Sequence, residues 1–392
     1  MMTVEAAQAA VLSLARPPRS EVVPLAQAAG RWMTEPVLAA RDQPPFAASA
    51  MDGYAVAGPM ASGASFTVVG EAAAGRAWRG VLAPGEAVRI FTGAPVPAGA
   101  TRVVIQEDVI RAGDRIMVGD RTDAASHIRA RGQDFAAGRT LSPRRLRAVD
   151  LALLAAMNVA LVTVACRPVV ALVATGDELV VPGEDPRDDQ IIASNAYALL
   201  PLAQGTGAIV RHLPIARDTV QDLAAVLAMT AGADLVVTIG GASVGDHDLV
   251  ARAITAAAGN LAFHKVSVRP GKPLMAGHFR DALLLGLPGN PVSSVVCAHL
   301  FMLPLIRAMQ GDPSPLAVPQ RARLAASVEP TGPRTHYMRA RLSPGPDLPL
   351  IAPFARQDSA LLGLLAEADA LLIRPLGDAA QPAGAMVDYL PI

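Results

Sequence analysis

Apolar positions along this chain change their period several times, and each change marks a different kind of unit. Residues 1–45 open on VEAAQAAVLSLA, which reads as a short amphipathic helix, and continue into Pro-rich connections. From 46 to 137 the pattern becomes short apolar runs, FTVVG, AVRIFTG, RVVIQEDVI and RIMVGD, separated by Gly, Pro and Asp, which predicts a mostly β domain. Residues 139–163 read as helix, with Ser142 as its cap and Pro143 at the first helical position.

From residue 168 strand and helix alternate. PVVALVATGDEL, AIVRHLPIA, DLVVTIGGAS and LLLGLP read as buried strands, separated by ASNAYALLPLAQGTG, DTVQDLAAVLAMTAG and DHDLVARAITAAAG as helices; NPVSSVVCAHLFMLPLIRAM closes the series as a last helix. This rhythm predicts a doubly wound, mainly parallel α/β sheet, with ligands outside the carboxyl ends of its strands. After the Pro-punctuated PSPLAVP, residues 320–392 return to short alternating strands, a second small β unit. No internal repeat interrupts this order.

Composition narrows the picture. A chain of 392 residues exceeds one ordinary core, so about two to four domains are expected. Zero formal net charge gives no global pull toward nucleic acid or acidic lipid. Cys166 and Cys297 lie in apolar surroundings and are expected as buried thiols, without a metal-binding spacing. The N-terminus lacks the basic region of a signal peptide, and charges or prolines interrupt every long apolar stretch, so a soluble cytoplasmic protein without a membrane span is expected. Of the 34 basic residues all but two are arginine; both lysines, Lys265 and Lys272, fall in FHKVSVRPGKP. Lysine retained against such a bias suggests a requirement for a compact ammonium, and Arg269, Pro270 and Gly271 between them make a cationic turn suited to an anion.

Three strand-to-helix loops carry candidate chemistry. In ATGDELV, Thr175 and Gly176 leave the strand and Asp177 and Glu178 follow; in TIGGASVGDHD, Gly240, Gly241 and Gly245 allow close backbone approach and Ser243 adds a hydroxyl. In LGLPGNPVSS, Pro288, Gly289, Asn290 and Pro291 shape a stiff loop, with Ser293 and Ser294 at a helix start. Neither glycine loop matches a Walker or Rossmann pattern. Asp177, Glu178, Asp246 and Asp248 would repel a phosphate unless a divalent cation bridged them, although each also suits a helix N-cap.

The ordered set SAMDGYAV, FTGAPVPAGA, RARGQD, ATGDEL, GGASVGDHD, RPGKP and LPGNPVSS resembles the molybdopterin molybdenumtransferase family, which includes a domain of gephyrin, over the whole chain. The resemblance implies a helical/linker domain from 1–45 and 138–167, an inserted β domain at 46–137, a molybdopterin-binding α/β domain at 168–314 and a C-terminal β-barrel at 315–392. It implies a homodimer that takes molybdate and adenylylated molybdopterin as substrates, uses Mg2+, and releases AMP with the molybdenum cofactor. Transient contact with the molybdopterin adenylyltransferase and with molybdoenzyme acceptors is also implied; nucleic acid and membrane are not.

Carried over residue by residue, the catalytic set would be Asp52, Thr92, Asp134, Glu178, Asp248, Lys265 and Lys272, with Glu178, Asp218 and Asp248 toward metal. Substrate contacts would come from the three loops, from Arg269, Pro270 and Gly271, and from Ser359 in RQDSALL. Arg269 stands where some members have lysine, and RQDSALL is looser than the family's Gly-Ser pattern there. Two alternatives remain open, an adenylyltransferase of the same pathway and a non-catalytic scaffold like gephyrin.

Overall fold

The computed structural model describes residues 1–58, 60–121, 123–241 and 259–392, and its chain divides into two units, Met1–Glu21 with Ala165–Ile392, and Val22–Val164. In the first unit α1 (Val4–Ser13) is followed by β1 (Val169–Ala174), α2 (Asn195–Gly205), β2 (Ile209–His212), α3 (Val220–Ala228), β3 (Leu235–Ile239), β4 (Asn260–Phe263), β5 (Met275–Phe279), β6 (Ala282–Leu287) and α4 (Pro291–Cys297). The sheet order is β2-β1-β3-β6-β5-β4. β2, β1, β3 and β6 are mutually parallel, whereas β6–β5 and β5–β4 are antiparallel. The expected doubly wound sheet is therefore present, but strict alternation stops at β4, because Lys265–Pro273 returns the chain to the same edge.

Both faces of this sheet are covered, which is why its strands read as continuous apolar runs. Val170, Leu172, Leu235, Val237, Leu283 and Leu285 face a core shared with α1, α2 and α4. Their neighbours Ala171, Val173, Val236 and Leu284 face Leu223, Val226 and Leu227 of α3. α1 thus shares its core with the α/β layers through Val4, Ala7 and Val11. α3 begins where the Thr219 hydroxyl accepts from the Asp222 N–H at 3.1 Å, a cap worth about 1 kcal/mol.

From α4 the helical path runs through a π-helical stretch, Ala298–Met302, to Leu303–Met309. The span Pro291–Met309 has the length and apolar composition of a membrane helix, which the interrupted runs of the sequence did not suggest. With 78% of it buried, it serves as the central core helix of this unit.

Strands Gln320–Leu324, Thr335–Ser343, Leu350–Pro353, Ala370–Arg374 and Met386–Pro391 close on themselves, since Thr335–Ser343 pairs with both Leu350–Pro353 and Ala370–Arg374. The C-terminal β-barrel is thus present. A short strand, Val268–Arg269, pairs in parallel with Thr335–His336 and ties the loop after β4 to the barrel.

The second unit contains a six-stranded sheet in the order Arg102–Ile105, Gly53–Val56, Glu86–Ile90, Ser65–Ala72, Arg115–Val118, Val109–Ala112. A separate core around Met33, Phe135, Leu154 and Val164 packs on the helix Ala148–Ala156. The helix expected over 139–163 is shorter than the sequence suggests. Thr140–Leu141 pairs with Val37–Leu38, and the helix starts only after Arg147, whose N–H donates to Asp150 at 2.9 Å. Asn158, with φ +67°, ends it, and the β-branched LVTVA continues as strand Leu161–Ala165. Cys297 is buried as expected, whereas Cys166 is half-buried; both are free thiols.

Candidate active site

The carboxyl ends of β1, β3 and β6 meet around a cleft of about 640 Å3. Cross-strand bonds fix its floor: Thr175 N–H donates to Ile239 O at 3.0 Å, Gly240 N–H to Leu287 O at 3.1 Å, and Gly176 N–H to Ala216 O at 3.1 Å. At Gly240 both close approach and backbone conformation require glycine. Gly240 has φ +92°, and a Cβ there would lie 2.8 Å from the Thr175 carbonyl oxygen; Gly289 in turn sits against Gly240. A Cβ at Gly176 would meet the Glu178 carboxylate at 2.5 Å, so this glycine lets Glu178 fold back over the loop.

Nine of the sequence-predicted contacts line this cleft: Thr175, Gly176, Gly240, Gly241, Pro288, Gly289, Asn290, Pro291 and Ser293. Glu178 and Asp218 line it too, so two of the three carboxylates assigned to metal border the same cleft. Asp177 stands one step back, its carboxylate accepting from the Asp218 N–H at 2.9 Å. Ser243, Gly245, Asp246 and Asp248 lie outside the described residues. Among the described residues no three His, Cys, Asp or Glu side chains cluster as a metal site.

One polar group in the wall lacks a mate. The Thr175 hydroxyl is buried, with no hydrogen-bond partner among the described residues, at a cost of about 1–3 kcal/mol for an unsatisfied group. A ligand oxygen reaching the cleft floor would satisfy it. Asn195, which the sequence reading passed over, donates to Gly289 O at 2.7 Å and holds the PGNP loop. Asn290 donates to the Ser359 hydroxyl at 2.8 Å, and Val292 N–H donates to Ser359 O at 3.1 Å, which brings the barrel segment to the cleft edge, where Ala360 lines it. Leu179, Ile191 and Ile192 supply an apolar wall, also unforeseen; its signal was IIASN, an apolar pair before a helix start.

The lysine loop reaches the cleft through Pro273. Lys272 is exposed and its carbonyl accepts from Val266 N–H at 3.1 Å; Lys265 is half-buried and its carbonyl accepts from Met2 N–H at 3.4 Å. Pro270 and Gly271 are buried beneath Cys297, whose thiol lies 3.8 Å from Gly271 O and is pushed up to about 12 by burial. Arg269 is exposed and stands opposite His336 in the strand pairing. Burial first, and then Arg269, Arg334, Arg374 and Arg339, hold the His336 imidazole down to about 4, so it is neutral at pH 7. Of these, the barrel arginines Arg334, Arg339 and Arg374 carried no motif and were missed from sequence, whereas Arg269 was expected at this loop.

Asp52, Thr92 and Asp134 belong to the unit Val22–Val164. One Asp52 oxygen accepts from both the N–H and the hydroxyl of Thr92, at 2.7 and 2.8 Å, and these bonds, aided by Arg89, hold its carboxyl below the usual range. Arg89 is stacked on the rings of Tyr54 and Phe91, 5.0 and 4.7 Å from their centres. Asp134 is exposed, and its N–H donates to Gln43 O at 3.0 Å.

A glycine-floored cleft joined by a barrel segment is a distinctive arrangement, and the comparisons agree with it. Three family models match in order: the MoeA N-terminal region, domains I and II, at residues 2–158; a probable molybdopterin binding domain at 171–308; and the MoeA C-terminal region, domain IV, at 321–392. A Mycobacterium tuberculosis protein named molybdopterin molybdenumtransferase 2 is 35% identical over 356 residues, 87% of this chain and 88% of that protein. This chain belongs to the molybdopterin molybdenumtransferase family. A Nostoc molybdopterin molybdenumtransferase is 36% identical over 304 residues, 74% of this chain and 70% of the relative. The crystal structure of a molybdopterin biosynthesis MoeA protein from Pyrococcus horikosii superposes with a TM-score of 0.84 at 29% identity, covering 100% of this chain and 99% of that one. Within the family, the cleft residues above are the candidates for the substrate site.

Proposed function

We propose that this protein is a cytoplasmic, homodimeric molybdopterin molybdenumtransferase that inserts molybdenum from molybdate into adenylylated molybdopterin and releases AMP. The observation that carries the reading is one cleft lined by Glu178, Asp218, Thr175, whose hydroxyl has no partner among the described residues, and the Gly240–Gly241 backbone. A phosphate needs donors, and Thr175 with the main chain around the glycines is suited to supply them. Two carboxylates beside it fit a hard cation that takes its remaining ligands from phosphate oxygens and water, so the donor set suits Mg2+. When bound, Mg2+ would neutralise charge developing on the phosphate, with Glu178 and Asp218 as its protein ligands.

The chain's own residues supply orientation and counter-charge. Ile191, Ile192 and Leu179 offer an apolar surface for a ring system, while Asn290 and Ser293 line the same cleft with polar groups. Lys272 and Arg269, both exposed on the loop that reaches the cleft at Pro273, would balance the charge of molybdate and phosphate. Asp52 is held ionised by Thr92, so it is available to accept a hydrogen bond or a proton from substrate and not to donate one at neutral pH.

The test is AMP release from adenylylated molybdopterin, with molybdate, with and without Mg2+. The reading requires metal-dependent AMP release without ATP consumption. Consumption of ATP with release of pyrophosphate would instead place the protein with the adenylyltransferases, and absence of both would favour a scaffold.

A further inference from the structure

The segment 354–361 leaves the barrel without regular structure, yet it brings Ser359 and Ala360 to the cleft edge. An exposed, irregular stretch of this kind holds one conformation only if something rigid fixes it. Here the fixing group is Arg339, on strand Thr335–Ser343, whose side chain is 1% exposed. Its guanidinium donates to Leu361 O at 2.9 Å, to Arg356 O at 3.3 Å and to the Gln357 side-chain oxygen at 3.4 Å. Gln357 answers by donating to Arg339 O at 3.0 Å and Phe354 O at 2.8 Å, while its oxygen accepts from the Arg339 N–H at 3.1 Å. Phe354 N–H also donates to Arg339 O, at 3.0 Å.

This is an unusual use of a buried cation. A buried guanidinium normally requires a carboxylate partner, and the bonds of Arg339 go instead to main-chain carbonyls and one amide. Desolvation lowers its pKa, with the nearby Asp358 charge opposing the shift. A charge left without a buried counter-ion is a costly staple for a barrel that already closes through its own strand ladder. Its donors converge on a single segment, and that segment is the one that meets Asn290 and Val292 at the cleft.

We propose that Arg339 and Gln357 form a positioning clamp that holds Ser359 and Ala360 against the Asn290 loop, so that the barrel sets the affinity of the cleft for adenylylated molybdopterin. The proposal rests on the functional reading of the cleft. Arg339 touches no substrate in this scheme; it acts through Ser359. The fork of its guanidinium bridges Leu361 and Arg356, which a lysine ammonium, a single point on a flexible stem, does not reproduce.

The test uses the full-length protein with Gln357→Ala, Arg339→Lys, Ser359→Ala and the Gln357→Ala/Ser359→Ala double variant. Adenylylated molybdopterin binding, AMP release and melting temperature are measured on each. Gln357→Ala is expected to weaken binding and raise KM by about tenfold, the effect of one lost clamp of roughly 1.4 kcal/mol, while kcat stays within about twofold. In the double variant the loss should not exceed the larger of the two single losses, since both act through the same segment. Arg339→Lys should resemble Gln357→Ala, provided it melts near the parent temperature; Gln357→Ala, at a less buried position, keeps the test decisive if Arg339→Lys misfolds.

Parental KM in Gln357→Ala, or a loss that multiplies in full with that of Ser359→Ala, would overturn the clamp. A parent protein that binds no adenylylated molybdopterin would instead overturn the reading of the cleft and the clamp together.

Discussion

The cleft at the sheet end and the Asp52–Thr92 pair use polar groups in opposite ways. In the cleft, loops approach so closely at position 240 that only glycine fits, and the Thr175 hydroxyl is left buried without a partner among the described residues. At Asp52 the carboxylate is already satisfied by two donors from one residue and steadied by Arg89. The first arrangement leaves a group for the proposed ligand to satisfy; the second is finished and presents a fixed charge. A binding surface and a chemical group thus call for different local construction, and substitutions in the two places should fail differently.

The largest expected effect is at Lys272. Lys272→Ala should lower AMP release by about 10²-fold or more, about 2.7 kcal/mol of barrier, if its ammonium offsets charge on the transferred group, and Lys272→Arg should recover little of it. Near-normal turnover in either variant would make Lys272 a solvated turn residue. At Asp52 the expected pattern is loss of turnover with retained binding, since the carboxylate is positioned without any ligand. Mixing Asp52→Ala and Lys272→Ala subunits should restore part of the activity if two protomers build one site; none in verified heterodimers would argue for independent sites.

Thr92→Val sharpens the contrast, because it removes the hydroxyl donor but leaves the backbone N–H. It should raise the Asp52 pKa, seen as an acid limb of the kcat profile displaced upward, with about a tenfold loss at most at pH 7. An unmoved acid limb would show that the hydroxyl bond contributes nothing to that carboxylate.

The smallest effects concern stability. His336 titrates near 4 in the folded protein but at the ordinary 6.5 when unfolded, so as pH falls through that interval only the unfolded chain takes up the proton. Folding should therefore weaken between pH 6.5 and 4, with no contribution above 6.5, and His336→Asn should show a shallower fall in melting temperature over that window. Thr219→Ala, which removes only the α3 cap, should cost about 1 kcal/mol and leave AMP release intact.

Much of this was legible in the sequence because its strands announce themselves. DLVVTI and LLLGL are apolar on both faces, which only a doubly covered sheet accommodates, and the glycines at 240 and 289 mark where backbones touch. The antiparallel edge was not legible: β4 and β5 are joined by a lysine-bearing loop whose partner strand, Thr335–His336, lies far along the chain. The helix over 139–163 was overread because Pro143 resembles a helix start, whereas pairing with Val37–Leu38 decides that stretch. Asn195, Arg334 and Arg339 have no motif of their own. Their roles come from what the fold brings beside them, and no local pattern encodes that.

The pairing of Val268–Arg269 with the barrel bears on how this protein can be divided. A fragment ending near residue 314 would keep every strand of the α/β sheet, yet it would strip the partner from that short strand and uncover Val266 and Val268, both fully buried in the intact chain. The lysine-bearing turn would then lose its barrel anchor and keep only its sheet end and its bonds to Met2. A unit that looks autonomous by its sheet is therefore a poor candidate for excision, and chimaeras that exchange the barrel should carry residues 264–273 with it.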